Sequence, residues 1–211
     1  MSKLNLTQQQ LEELGLAEAQ GIIRSLEIQM AIGSSAEISL PDFLLLVLET
    51  LGGHKCVLVG GLALSEYAKP RATQDLDFVI VPEDKQAVLK ALEDKGFTIK
   101  QTLPYHAPDR DIIKLEFKGR ECDFIIFKSK SFMESIIKRA RNAAVLGEQV
   151  KIASVEDLVI TKLASSRYKD KADIMSIRSK SDKLDLGYIR NSLWDLGISD
   201  RLSFLHLPIE D

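Results

Sequence analysis

Asp75 and Asp77 stand two residues apart at the head of the apolar run DLDFVIV. In an extended strand both carboxylates leave one face, while Leu76 and Phe78 leave the other. Carboxylates held side by side repel, and in a partly desolvated site one takes up a proton unless a cation lies between them. Magnesium or manganese answers that conflict, because a hard divalent ion takes one or two carboxylates together with phosphate oxygens and water. Asp123, in ECDFIIF, is a third acid inside an apolar strand, where an unpaired carboxylate is costly. If its strand lies beside DLDFVIV, three carboxylates gather and can hold two cations, one at an attacking oxygen and one on nucleotide phosphates. Upstream, Gly60 and Gly61 close the apolar run CVLV. Glycines where a strand passes into a helix let backbone N–H groups approach phosphate oxygens with no side chain between, which makes a cradle for a triphosphate.

The elements that must position these residues are legible from pattern. Pro41 suits the first turn of a helix through Leu51, ended by Gly52 and Gly53. KCVLVGG reads as a short strand, LALSEYAKP as a short helix stopped by Pro70, and DLDFVIV as the next strand. Pro82 opens a helix with Val88, Leu89 and Leu92 on its buried stripe and Gly96 at its end. FTIKQTL is a strand. DIIKLEFKG and ECDFIIFKS form a hairpin turning near Lys118-Gly119-Arg120, with a positive φ at Gly119. FMESIIKRAR is a helix, and AAVLGEQVKIA a strand or hairpin. SVEDLVITKLASSRYKDKADI is one helix turning into another, its start marked by Ser154 and Asp157. LDLGYIRNSLWDLGISDRLSFL carries a further helix.

The fold class expected is therefore α+β, a mixed β-sheet flanked by helices with a C-terminal helical portion. The division expected is an N-terminal helical extension over residues 1–38, an α/β core over 39–153, and helices packed on that core over 154–211. Two short helices are expected between Thr7 and Met30, because Gly15 and Gly21 interrupt a single one. LTQQQLEELGL there resembles the start of a helix-turn-helix. The following AEAQGIIRSLEIQ offers one arginine where a DNA-reading helix needs several polar or basic contacts.

Composition narrows the function classes. Within 211 residues, 45% are hydrophobic and 28% charged, with a net charge of -3, so no basic coat favours bulk nucleic-acid binding. Two cysteines, Cys56 and Cys122, lie in strand-like runs as small buried hydrophobes. The three histidines lack zinc-site spacing. No apolar stretch approaches the ~18 residues of a membrane span, and MSKLNLTQQQ lacks a secretory apolar core, so the expected compartment is cytoplasmic with no membrane partner.

The ordered series of apolar strand, Gly-Gly, short helix, Arg-x-Thr-x-Asp-x-Asp, strand and later strand aspartate resembles the nucleotidyltransferase superfamily. It is most similar to the minimal branch that includes abortive-infection-type toxins of toxin–antitoxin pairs. The segment GGxA...RxTxDxDF of that branch matches Gly60, Gly61, Ala63, Arg71, Thr73, Asp75, Asp77 and Phe78. Its helical motif matches Lys162, Arg167, Lys169, Asp170 and Asp173. The likeness runs from about Leu40 to Phe204.

The resemblance implies transfer of a nucleoside monophosphate from a nucleoside triphosphate to an acceptor in RNA, a protein or a small molecule, with pyrophosphate released. It implies Asp75, Asp77 and Asp123 as metal ligands and catalytic carboxylates, with Asp123 helping to deprotonate the acceptor. It places Gly60, Gly61, Arg71, Thr73, Lys162, Lys169 and Asp170 around the nucleotide, and an antitoxin as a protein partner. Two other readings stand beside this one. In the first, the fold serves as a non-catalytic binding or assembly module. In the second, Asp75 and Asp77 only solvate an exposed edge strand, which requires Asp123 to lie far from them.

Overall fold

The computed structural model describes residues 37–103, 109–165, 167–181 and 183–206, with scattered helical positions between 23 and 33. The helices expected between Thr7 and Met30, and the helix-turn-helix-like segment, lie largely outside the described residues. Helix α1 (Leu40–Leu51) starts where Ser39 Oγ accepts from the Asp42 backbone N–H at 3.3 Å, with Pro41 in its first turn. It buries Phe43, Leu44, Leu46, Val47 and Leu51. Next come β1 (Cys56–Leu58), the five-residue α2 (Gly60–Leu64) and β2 (Leu76–Ile80). A 3-10 turn over Pro82–Asp84 leads into α3 (Lys85–Asp94), then β3 (Thr98–Leu103), β4 (Arg110–Phe117) and β5 (Arg120–Phe127). Helix α4 (Lys130–Arg139), the hairpin of β6 (Arg141–Val145) and β7 (Glu148–Ile152), and helices α5 (Val155–Ser165), α6 (Tyr168–Lys180) and α7 (Leu186–Asp195) complete the order, followed by a 3-10 segment over Ser199–His206.

The seven strands form one mixed sheet in the order β3-β4-β5-β2-β1-β7-β6. Strand β2 is central, parallel to β5 and antiparallel to β1. A central strand is buried on both faces and reads as a near-continuous apolar run. Leu76, Phe78, Val79 and Ile80 are all fully buried, so the edge-strand reading of this segment does not hold. On one face Phe78 and Phe124 are register partners, with stacked rings at 6.0 Å. A second aromatic series runs from Phe43 through Phe97 to Phe117, at 5.8 and 4.9 Å. The β4–β5 hairpin turns on Lys118 (φ 49) and Gly119 (φ 79), both left-handed, as the tight turn that matches strand twist requires.

Helices α5 and α7 are tied to α4 by a buried polar group. Ser154 Oγ accepts from the Asp157 backbone N–H at 3.2 Å and donates to Asp157 Oδ2 at 2.6 Å, which fixes the start of α5. Asp157 is completely buried, and Tyr188 Oη on α7 donates to its Oδ1 at 2.5 Å. Arg139, at the end of α4, lies 3.4 Å from the Asp157 carboxylate and 4.1 Å from the centre of the Tyr188 ring. Burial first, and then the hydrogen bond to Asp157, push the Tyr188 phenol up to about 12. Among the described residues no helix is long and apolar enough to cross a membrane.

Tyr188→Phe removes one donor from a buried carboxylate and leaves the ring in place. It is expected to lower unfolding stability by ~1–3 kcal/mol in urea titration, with the native far-UV spectrum retained.

Candidate active site

Strand register builds the site. Because β2 and β5 run parallel with Asp77 opposite Asp123, the two carboxylates leave the same face of the sheet at the same level. Asp75 lies just before β2, exposed at the strand mouth. Burial, and next the charge of Asp123, push the Asp77 carboxyl above its ordinary range, while Lys162 and Arg167 oppose that rise. Asp123 carries its own counter-ion. Lys114 faces it across the β4–β5 ladder, and the Lys114 ammonium donates to Oδ2 at 2.8 Å and Oδ1 at 3.2 Å. Burial lowers the Lys114 ammonium, but the hydrogen bond and charge of Asp123 outweigh it and leave a net upward shift.

The glycine pair fits closely against this acid. Gly60 begins α2 with φ +70, and a Cβ there would stand 1.8 Å from Asp77 Oδ2. A Cβ on Gly61 would stand 2.9 Å from Thr73. The turn is therefore bare because Asp77 and Thr73 occupy the space a side chain would need. Helix α2 has only five residues, so its backbone N–H groups, more than a summed dipole, are what it offers an anion.

The ten residues expected to bind metal or nucleotide line two adjoining cavities, whereas Asp173 of the helical motif lines neither. Gly61, Arg71, Thr73, Asp75 and Lys169 line one of about 280 Å³, and Gly60 and Asp170 line a smaller one of about 60 Å³. Asp77, Asp123 and Lys162 face both. Arg167, part of the helical motif, also borders both. A larger cavity of about 360 Å³ lies between α4 and the far ends of β2 and β5, floored by Val81, Phe127, Met133 and Ile137. Its carboxylates, Glu83 from the 3-10 turn and Glu134 from α4, are not partners in the sheet register, whereas Asp77 and Asp123 in the smaller spaces are.

Several of the expected nucleotide contacts are engaged with other protein groups. Arg71 donates in a fork to Asp173, Nε to Oδ1 at 2.9 Å and Nη2 to Oδ2 at 3.0 Å. Lys162 is buried and donates to Asp173 Oδ2 at 2.7 Å, with Asp170 Oδ1 at 3.4 Å. Asp170 accepts from the Arg167 side chain at 2.8 Å and closes the cap at the start of α6. Burial raises the carboxyls of Asp170 and Asp173, but their basic partners outweigh it, Arg167 and Lys162 for Asp170 and Arg71 and Lys162 for Asp173. Both finish below the ordinary range. Lys169 is exposed at the rim.

Two basic lining residues were not singled out in the sequence. Buried Arg110 is held by Asp109 at 2.6 Å and by the Ala164 carbonyl at 2.9 Å. Lys114 could have been found, because a two-residue turn at Lys118-Gly119 pairs Phe117 with Arg120 and so Lys114 with Asp123.

As a cation site, the Asp77–Asp123 pair has the chemistry of the two-carboxylate sets that hard divalent ions take with phosphate and water. Among the described residues, no group of three or more His, Cys, Asp or Glu could hold a metal ion. The fit is thus to a two-carboxylate set completed by a ligand.

The model of a family described as "Nucleotidyltransferase of unknown function (DUF6036)" matches residues 38–199. No curated protein matches the chain. Among solved structures, ANT(2″)-Ia in complex with adenylyl-2″-tobramycin is similar at 14% identity and TM-score 0.50, over 78% of this chain and 95% of that one. The lincomycin-bound lincosamide antibiotic adenylyltransferase LnuA is similar at 16% identity and TM-score 0.46, over 69% of this chain and 99% of that one.

Gly60→Ala meets both a left-handed backbone and the Asp77 carboxylate, whereas Gly53→Ala meets only a φ of +87 with no atom within 4 Å. Gly53→Ala is expected to cost about 1–2 kcal/mol, and Gly60→Ala distinctly more, as read by thermal unfolding of the two variants in parallel. Lys162→Met leaves two buried carboxylates short of a cation and is expected to cost ~3–5 kcal/mol. Because Asp170 and Asp173 titrate lower in the folded protein than in the unfolded chain, their stabilisation is complete above the ordinary carboxylate pKa. It is lost as pH falls through their folded values. Acid titration of stability should therefore be shallower in Asp173→Asn than in the parent protein.

Proposed function

We propose, from the premise that this chain belongs to the DUF6036 family of nucleotidyltransferases, that its transfer of a nucleotidyl group from a nucleoside triphosphate to an acceptor takes place over Asp77 and Asp123 and depends on a divalent cation. The observation that carries this reading is the register pairing of the two carboxylates directly beside Gly60, whose missing side chain lets the Asp77 carboxylate pack against the turn.

Asp77 and Asp123, with Asp75 at the mouth, would hold magnesium or manganese, which when bound supplies charge neutralisation for the phosphate oxygens. The backbone at Gly60 and Gly61 receives phosphate oxygens, and Thr73 packs behind Gly61. Lys169 and Arg167 add positive charge along the triphosphate path, and Lys162 with Arg71, fixed by Asp170 and Asp173, sets the shape of that wall. An acceptor oxygen or nitrogen forms its bond to the α-phosphorus while the bond from that phosphorus to the bridging oxygen breaks. Pyrophosphate departs with the bonding pair, and the acceptor proton passes to a carboxylate of the site, with Asp123 as the assigned recipient. Catalysis here consists mainly of positioning and charge stabilisation.

The biological role we assign is the toxin half of a toxin–antitoxin pair acting in the cytoplasm. Support for it comes from the likeness of the segment from Gly60 to Phe78 to that branch. Asp77→Asn is expected to reduce transfer of label from α-labelled triphosphates to RNA, protein or small-molecule fractions of a cell extract by ~10²–10³-fold or more. Its melting temperature should be unchanged or higher, because like-charge repulsion is relieved. Growth arrest on expression should disappear in the same variant. Labelling that persists in Asp77→Asn, or a variant that cannot fold, counts against the assignment.

A further inference from the structure

The two carboxylates at the centre of the site are not equivalent. Asp123 accepts from Lys114 through both oxygens, at 2.8 and 3.2 Å, whereas among the described residues no side-chain cation lies within ion-pair distance of Asp77. The Lys114 contact is built into the sheet. Lys114 and Asp123 are directly opposed in the antiparallel β4–β5 ladder, and Asp123 and Asp77 are directly opposed in the parallel β5–β2 ladder. Three adjacent strands thus present, at one level and on one face, an ammonium, a carboxylate and a second carboxylate. The Lys114 side chain is about one-third exposed and lines the same 280 Å³ cavity as Asp75, Thr73 and Lys169, so its ammonium borders the space that a triphosphate would fill.

Resting on the metal-dependent reading above, we infer that Lys114 stands as the fixed cation of this site, filling the place of one of the two metal ions that a carboxylate triad would hold. Asp77, with Asp75, the phosphates and the remaining lone pairs of Asp123, is left to hold a single divalent ion. A second divalent ion on Asp123 would have to share a carboxylate whose two oxygens already accept from an ammonium, and the two positive charges repel. A lysine is suited to the place because it is a compact point charge on a flexible stem, able to follow Asp123 as ligands enter. Lys114 is accordingly a positioning residue that acts through Asp123 and sets the number of metal ions bound.

The test is the stoichiometry of Mn²⁺ bound to the full chain, measured by electron paramagnetic resonance and by calorimetry, with the α,β-methylene analogues of the four nucleoside triphosphates in turn. The parent protein should bind one Mn²⁺ per chain with the analogue it accepts. Lys114→Met, similar in length and without charge, should bind two. Lys114→Arg, which restores a cation, should return to one, and equal melting temperatures across the series would exclude a folding defect as the cause. Two ions in the parent protein, or the same nonzero number in the parent and Lys114→Met, overturns the role of Lys114 and leaves the metal-dependent reading standing. Analogue binding with no Mn²⁺ in either protein overturns both.

Discussion

The alignment of β2 on β5 places Asp77 and Asp123 shoulder to shoulder on the sheet, and much of the surrounding structure responds to that juxtaposition. A sheet cannot relieve the repulsion by sliding one strand, since a one-residue slip would turn Leu76, Phe78 and Ile80 out of the core on every neighbouring contact. The carboxylates are therefore held together by apolar packing on the opposite face. The strain is met instead by charge brought from elsewhere, by Lys114 from β4, Lys162 from α5 and Arg167 from the start of α6. Gly60 answers the same constraint sterically, since only a residue without a side chain can sit against the Asp77 carboxylate.

A second level of order fixes those cations. Lys162 is buried, and a buried ammonium is tolerated because Asp170 and Asp173 accept from it or lie beside it. Asp173 also takes the forked guanidinium of Arg71, which precedes β2, so one carboxylate on α6 couples the C-terminal helices to the segment that carries Thr73 and Asp75. The helical portion thereby shapes the wall of the cavity. Asp157 and Tyr188 perform a comparable task at the other end of α5, where α4, α5 and α7 meet. Most of the charged side chains around the site are thus paired with one another, and those at the rim, Lys169 above all, are the ones presented to a polyanion.

The same arrangement explains how roles divide within one cluster. Arg71, Lys162, Arg167, Asp170 and Asp173 are close in space, yet the protein uses Asp170 and Asp173 to hold the cations in place. Ion pairs at this depth are costly to leave half-made, so their geometry is mutually determined. Asp77, by contrast, has no side-chain cation within ion-pair distance among the described residues, and its carboxyl is raised by burial and by Asp123. A group kept in that condition is suited to receive a ligand.

What the sequence by itself determined was local and periodic. Two-residue spacing set Asp77 on the face opposite Leu76 and Phe78, glycines marked the turns at Gly60 and Gly119, and Ser154 with Asp157 marked the start of α5. These follow from near-neighbour sterics and burial pattern, which need no knowledge of the partner strand. Even the Lys114–Asp123 contact lay within reach, since a hairpin turn fixes its own register. Tertiary structure alone decided that Asp123 lies level with Asp77, that Asp157 is buried under Tyr188, and that Arg71 spends its fork on Asp173 across about a hundred residues of chain. Parallel pairing joins segments through a long crossover that carries no register signal, and a buried charge finds its partner only when packing has closed around it.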